Sequence, residues 1–77
     1  VIVTLGATAL AAVLGRRLAI AEARVRELQV PSGTPIVATY HPSAILRAPE
    51  ETSRARLRAT LLTDLKRAAR IAGKGDG

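Results

Sequence analysis

Two short runs rich in β-branched residues, VIVTL at 1–5 and IVATY at 36–40, constrain this chain most. Too short for helices, such runs are typical of strands buried on both faces of a sheet. Each is followed by a residue that stops it. Gly6 turns the chain after the first, and Pro42 ends the second because it removes a ladder donor. After Gly6, ATALAAVLG reads as a short helix of small residues, stopped by Gly15. RRLAIAEA at 16–23 suits either helix or extended chain. RVRELQV at 24–30 reads as a strand of imperfect alternation, and PSGTP at 31–35 is a strong turn signal. Residues 24–40 thus form a hairpin or two neighbouring strands.

The segment 50–73 carries the clearest periodicity. Leu57, Leu61, Leu65, Ala68, Ala69 and Ala72 recur at helical spacing and give one apolar face. Glu50 and Glu51 near its start, and Lys66, Arg67 and Arg70 near its end, suit the helix dipole. Gly73 should stop the helix, and residues 74–77 should fray. Arg54, Arg58 and Arg70 fall off the apolar stripe, either on a solvated face or against phosphates. Strand, helix, hairpin and helix in that order suggest the end of an α/β sheet domain. With 77 residues the chain can bury only a thin core, and Tyr40 is its sole aromatic residue, so fifteen alanines and the Leu, Ile and Val set must fill it. Because the chain opens with Val1 inside an apolar run, a piece of a longer domain is expected.

That run, residues 1–15, is shorter than the roughly 20 residues a bilayer span needs. It also lacks the preceding basic region of a signal peptide, so no membrane association is expected. Twelve Lys and Arg face six Asp and Glu, a net charge of +6, and ten of the twelve are arginine. Arginine suits bidentate phosphate contacts, so the balance favours a polyanion such as nucleic acid. A GC-rich coding bias would write the same composition. The absence of cysteine excludes disulfides, zinc ribbons and thiol nucleophiles from these residues, and it fits a reducing compartment, with a cytoplasmic location expected. One histidine and no cysteine leave no metal-ligand spacing. GATA after the first run lacks the spacing of a phosphate-binding loop.

The chain's only histidine and only aromatic residue meet in ATYHPSAILRAP at 38–49. This stretch lies where a buried strand ends, and ligand sites of open α/β sheets gather beyond the carboxyl ends of strands. Taken singly, His41 could be a hydrogen-bonded structural residue, Ser43 a cap and Ile45-Leu46 part of the core.

Together the residues say more. HPSAILR, preceded by VATY and followed by AP and a helix carrying DL, resembles the C-terminal signature of the uracil-DNA glycosylase superfamily, closest to its family 4 type, including the UdgX-like branch. VIVTLGATA resembles the penultimate strand and helix of those proteins. The resemblance runs from Val1 to about Ala72 and covers roughly the last third of such a domain. It implies an α/β fold: the C-terminal part of a three-layer α/β/α domain with a mainly parallel central sheet, residues 1–77 forming the C-terminal fragment of a single domain.

The implied chemistry is the flipping of uracil out of DNA and cleavage of its N-glycosidic bond. His41 would be catalytic, donating a hydrogen bond to the carbonyl oxygen on which the leaving base gathers charge. Pro42 would stiffen a DNA-gripping loop spanning 41–47. Ser43 and nearby backbone N–H groups would hold a phosphate, with Ala44 also among the DNA-binding residues. Ile45 or Leu46 would wedge into the gap left by the base, with spacing from His41 favouring Ile45. Arg47 would meet the backbone. The partner implied is uracil-containing DNA, bound by a protein expected to be monomeric when intact. Family members also carry a water-positioning acidic or amide residue and an aromatic that stacks on uracil, and family 4 types hold a 4Fe-4S cluster on four cysteines. None of these is in this chain, so a cluster would depend on upstream cysteines, and the 77 residues alone are expected to be inactive. Two other readings stand beside the enzyme: a UdgX-like covalent or non-catalytic uracil-DNA binder, and a basic structural DNA-binding module.

Overall fold

The computed structural model of the chain describes residues 1–75. Strand β1 (Ile2–Leu5) leads through Gly6 into helix α1 (Ala7–Leu14). Alanine and leucine favour helix here, and Gly15 ends it in the left-handed conformation, its N–H donating to the Ala11 carbonyl at 2.8 Å. A short helix α2 (Ile20–Ala23) follows, then β2 (Leu28–Gln29), β3 (Pro35–Thr39), α3 (Pro42–Arg47) and the long α4 (Glu51–Gly75).

The three strands form one sheet in the order β1-β3-β2. β1 and β3 run parallel, with Ile2 opposite Ile36 and Leu5 opposite Thr39. β2 is an antiparallel edge, Leu28 opposite Ile36. The turn between β2 and β3 is closed by the Gly33 N–H on the Val30 carbonyl and the Val30 N–H on the Thr34 carbonyl. The hairpin expected within 24–40 is present.

β3 is the centre of the packing, and its alternation assigns the two faces. Ile36 and Ala38 join Leu10 of α1 and Ala23 of α2 in one buried cluster, with Ile2, Leu14, Leu18, Ile20, Leu28 and Val30 around it. Val37 and Thr39, also buried, face α4, where Asp64 and Ala68 are buried in turn. Helices therefore lie on both faces of a sheet with one parallel and one antiparallel pair, a three-layer α/β/α arrangement. Among the described residues no helix is long and apolar enough to cross a membrane.

Four expectations need correction. Residues 24–27 are not strand: Arg24 turns away to meet α4, Val25 is 80% exposed, and only Leu28 and Gln29 pair. Burial of β1 on both faces is not seen, since Val3 and Leu5 remain 38% and 37% exposed where α4 crosses mainly β3. Gly73 does not stop α4, which continues to Gly75; the expected fraying of Asp76 and Gly77 lies outside the described residues. The buried face of α4 is also rotated from the expected stripe. Asp64 and Ala68 are buried with Leu57, Leu61, Arg67 and Ile71 half-buried beside them, while Leu65, Ala69 and Ala72 are exposed. A carboxylate with partners on β3 and at the end of α2 sets that rotation.

Candidate functional site

β1 and β3 end side by side, and the chain leaves β3 through Tyr40 into His41. His41 is in extended conformation and caps α3, while Pro42 occupies the first helical turn, where its missing N–H costs nothing. Residues 42–47 are therefore a short helix, which corrects the loop expected at 41–47. The six-residue helix cannot stand by itself; its two ends are fixed from outside. At the start, His41 Nδ1 accepts from the Ser43 backbone N–H at 3.0 Å. At the end, the Ala48 carbonyl accepts from Arg54 Nη1 at 2.8 Å.

The first of these bonds decides the state of the imidazole. A backbone N–H can only donate, so Nδ1 carries no proton and the ring proton lies on Nε2. Ser43 Oγ lies 2.9 Å from Nδ1, and Arg47 Nη2 donates to that hydroxyl at 3.2 Å. His41 is exposed, so its Nε2–H is open to a ligand.

The remaining expected site residues sort by position on α3. Ser43 and Ala44 are half-buried and Pro42 is exposed. Ile45 is half-buried, whereas Leu46 is 83% exposed. Arg47 is exposed beside it and has no carboxylate partner among the described residues. His41, Leu46 and Arg47 thus share a six-residue helix and its cap, at the carboxyl edge of the sheet. The helix arginines that were candidates for phosphate are partly committed elsewhere. Arg54 and Arg58 both donate to Glu51, at 3.0 and 2.9 Å. Those donated hydrogen bonds, Arg58 first, hold the Glu51 carboxyl below its ordinary pKa.

Behind the edge lies a cluster missed in the sequence. Arg24 forms a bidentate pair with Asp64 (Nε to Oδ2, 2.7 Å; Nη2 to Oδ1, 2.9 Å), and Thr39 Oγ1 donates to Oδ2 at 2.5 Å. Arg67 Nη1 donates to the Arg24 carbonyl at 3.0 Å. The Arg24 guanidinium also lies 5.8 Å from the Tyr40 ring centroid. Burial pushes the Asp64 carboxyl up, but hydrogen bonds from Arg24 and Thr39, with the charges of Arg24 and Arg67, outweigh it and leave the pKa lowered. Hydrogen bonding to Asp64 raises Arg24 against its own burial. The cluster ties α2, β3 and α4 together next to Tyr40. One signal was available: Asp64 sits at helical spacing with Leu57, Leu61, Ala68 and Ile71, a carboxylate on an apolar stripe.

The arrangement is that of an α/β sheet with His41, Leu46 and Arg47 at its carboxyl edge, the edge beyond which ligand sites of open α/β sheets gather. Residues 1–66 match the family model of the uracil DNA glycosylase superfamily, and the chain belongs to that superfamily. Membership carries a uracil-DNA glycosylase-like function in DNA repair, a hydrolase with DNA as its substrate. Among curated proteins no match was found.

Proposed function

We propose that, in the intact protein, this chain forms the leaving-group side of a glycosylase that flips uracil out of DNA and hydrolyses its N-glycosidic bond. The C1′–N1 bond breaks with its electron pair leaving on uracil, and water adds to C1′. Negative charge spreads onto the carbonyl oxygen of the base, and His41 Nε2–H donates to that oxygen. The observation that carries this reading is the Ser43 N–H bond on Nδ1, 3.0 Å, which leaves the ring proton on the open nitrogen. A donor held in place before charge develops needs no reorganisation, and removing one typically costs about 3–4 kcal/mol of transition-state stabilisation.

Leu46 takes the place of the departed base in the stack. Its 83% exposure favours it over Ile45, which is half-buried against the fold. Arg47 meets a backbone phosphate, and the Ser43–Ala44 segment lies against the neighbouring one. The chain has no cysteine, and the described residues hold no group of three candidate metal ligands. A 4Fe-4S cluster does not fit the residues present.

The test is His41→Ala in the intact protein, measured by single-turnover uracil release and by equilibrium binding to uracil-containing DNA. Release should fall about 10²–10³-fold with affinity changed only a few-fold. Equal loss of both, or undiminished release, would overturn the role of His41.

A further inference from the structure

We infer that Gly6 is a positioning residue for His41. This rests on the role proposed for His41 and adds the group that sets where its imidazole stands. β1 and β3 are parallel neighbours, and Leu5 lies opposite Thr39, so Gly6 comes level with the start of the His41 segment. A Cβ built on Gly6 would lie 3.1 Å from His41 Cβ and 3.9 Å from both Cγ and the backbone nitrogen. The first distance is closer than carbon atoms ordinarily pack. Gly6 also has φ +89° and ψ 167°, a conformation that side-chain-bearing residues rarely take.

Gly6 has no room to retreat. Its N–H donates to the Thr39 carbonyl at 2.9 Å, and its carbonyl accepts from the Leu10 N–H at 3.2 Å. One bond pins it to β3 and the other to α1. His41 is the looser partner: it is exposed, and its ring is held by Ser43 alone. A methyl group at position 6 therefore displaces His41 by a few tenths of an ångström rather than Gly6. Donor geometry at a reacting oxygen tolerates little more than that. His41 thus stands between a bare backbone on one side and the Ser43 N–H on the other.

The experiment is a double-mutant cycle in the intact protein. Gly6→Ala should slow single-turnover uracil release about 10-fold and leave affinity for uracil-containing DNA within 2-fold. On a His41→Ala background there is no imidazole to misplace, so Gly6→Ala should change the residual rate less than 2-fold. An equal loss on both backgrounds, or none in the parent, would overturn the inference. Full release by His41→Ala itself would overturn the reading of His41 and remove the role of Gly6 with it. Should Gly6→Ala fold too poorly to assay, stability supplies the same test. Its melting temperature should drop less on a His41→Gly background, which lacks the contacted Cβ. An equal drop on both backgrounds would mean that the positive φ alone is at work, and would overturn the contact.

Discussion

Replacing Asp64 by Asn removes one charge from the side chain that joins α4 to the sheet. Three donors converge on the Asp64 carboxylate: Arg24 Nε, Arg24 Nη2 and Thr39 Oγ1, at 2.7, 2.9 and 2.5 Å. Asparagine offers one acceptor oxygen and an NH₂ that faces these donors, so at least one of them loses its acceptor. Breaking a buried ion pair by removing one partner costs about 3–5 kcal/mol. The Arg24 side chain keeps 24% of its exposure and regains some water, which brings the expectation to about 2–3 kcal/mol. The assay is urea denaturation of the intact protein, in which the midpoint should fall with an unchanged slope. The pH dependence gives a second readout. The Asp64 pKa is depressed in the folded state, so its contribution is present above the unfolded value, 3.8, and is lost as pH falls through the folded value. Parent and Asp64→Asn should therefore begin to approach each other in stability only as pH falls below about 4, and converge once it is below the folded value. A midpoint shift worth less than about 0.5 kcal/mol, or two acid limbs that stay parallel, would refute the clamp.

Leu46→Ala should weaken uracil release from duplex DNA at least 10-fold, and from single-stranded DNA much less, because only the duplex leaves a stacked gap to fill; equal loss on both substrates would remove the wedge. Arg47→Ala should reduce the slope of log affinity against log salt by about one. Arg54→Ala should leave that slope unchanged, since its guanidinium is engaged with Glu51 and the Ala48 carbonyl, and should instead lower the melting temperature. Salt-dependent binding of the two variants separates these outcomes.

What could be read directly from the sequence was local. β1, α1 and β3 follow from β-branched and alanine-rich runs punctuated by Gly6 and Gly15, and these elements set the carboxyl edge where His41 stands. α4 follows from its period. What escaped was held by distance or direction. Arg24 and Asp64 are 40 residues apart, and their pairing both delays the start of the expected strand and turns α4 about its axis. No local pattern carries that. α3 escaped because six residues give too little periodicity, although Pro42 after a candidate cap was a usable sign of a helix start. Which of Ile45 and Leu46 is exposed depends on the way that helix faces, which spacing from His41 does not carry. Gly6 was legible as a turn; its nearness to His41 depends on the parallel pairing of two strands more than thirty residues apart.

The anchor points of α4 also make it a beam. Its first turn grips the end of α3 through Arg54, and ten residues further, about 15 Å along the axis, Asp64 is bolted to β3 and α2. A side chain that pries bases apart must push against something. If Leu46 is the wedge proposed above, its recoil would run through the Ala48 carbonyl into this rod and down to the sheet, at the strand end that carries Tyr40 and His41. The wedge and the ring of the proposed reading would thus be mounted on one frame, Leu46 on α3 and His41 at its cap.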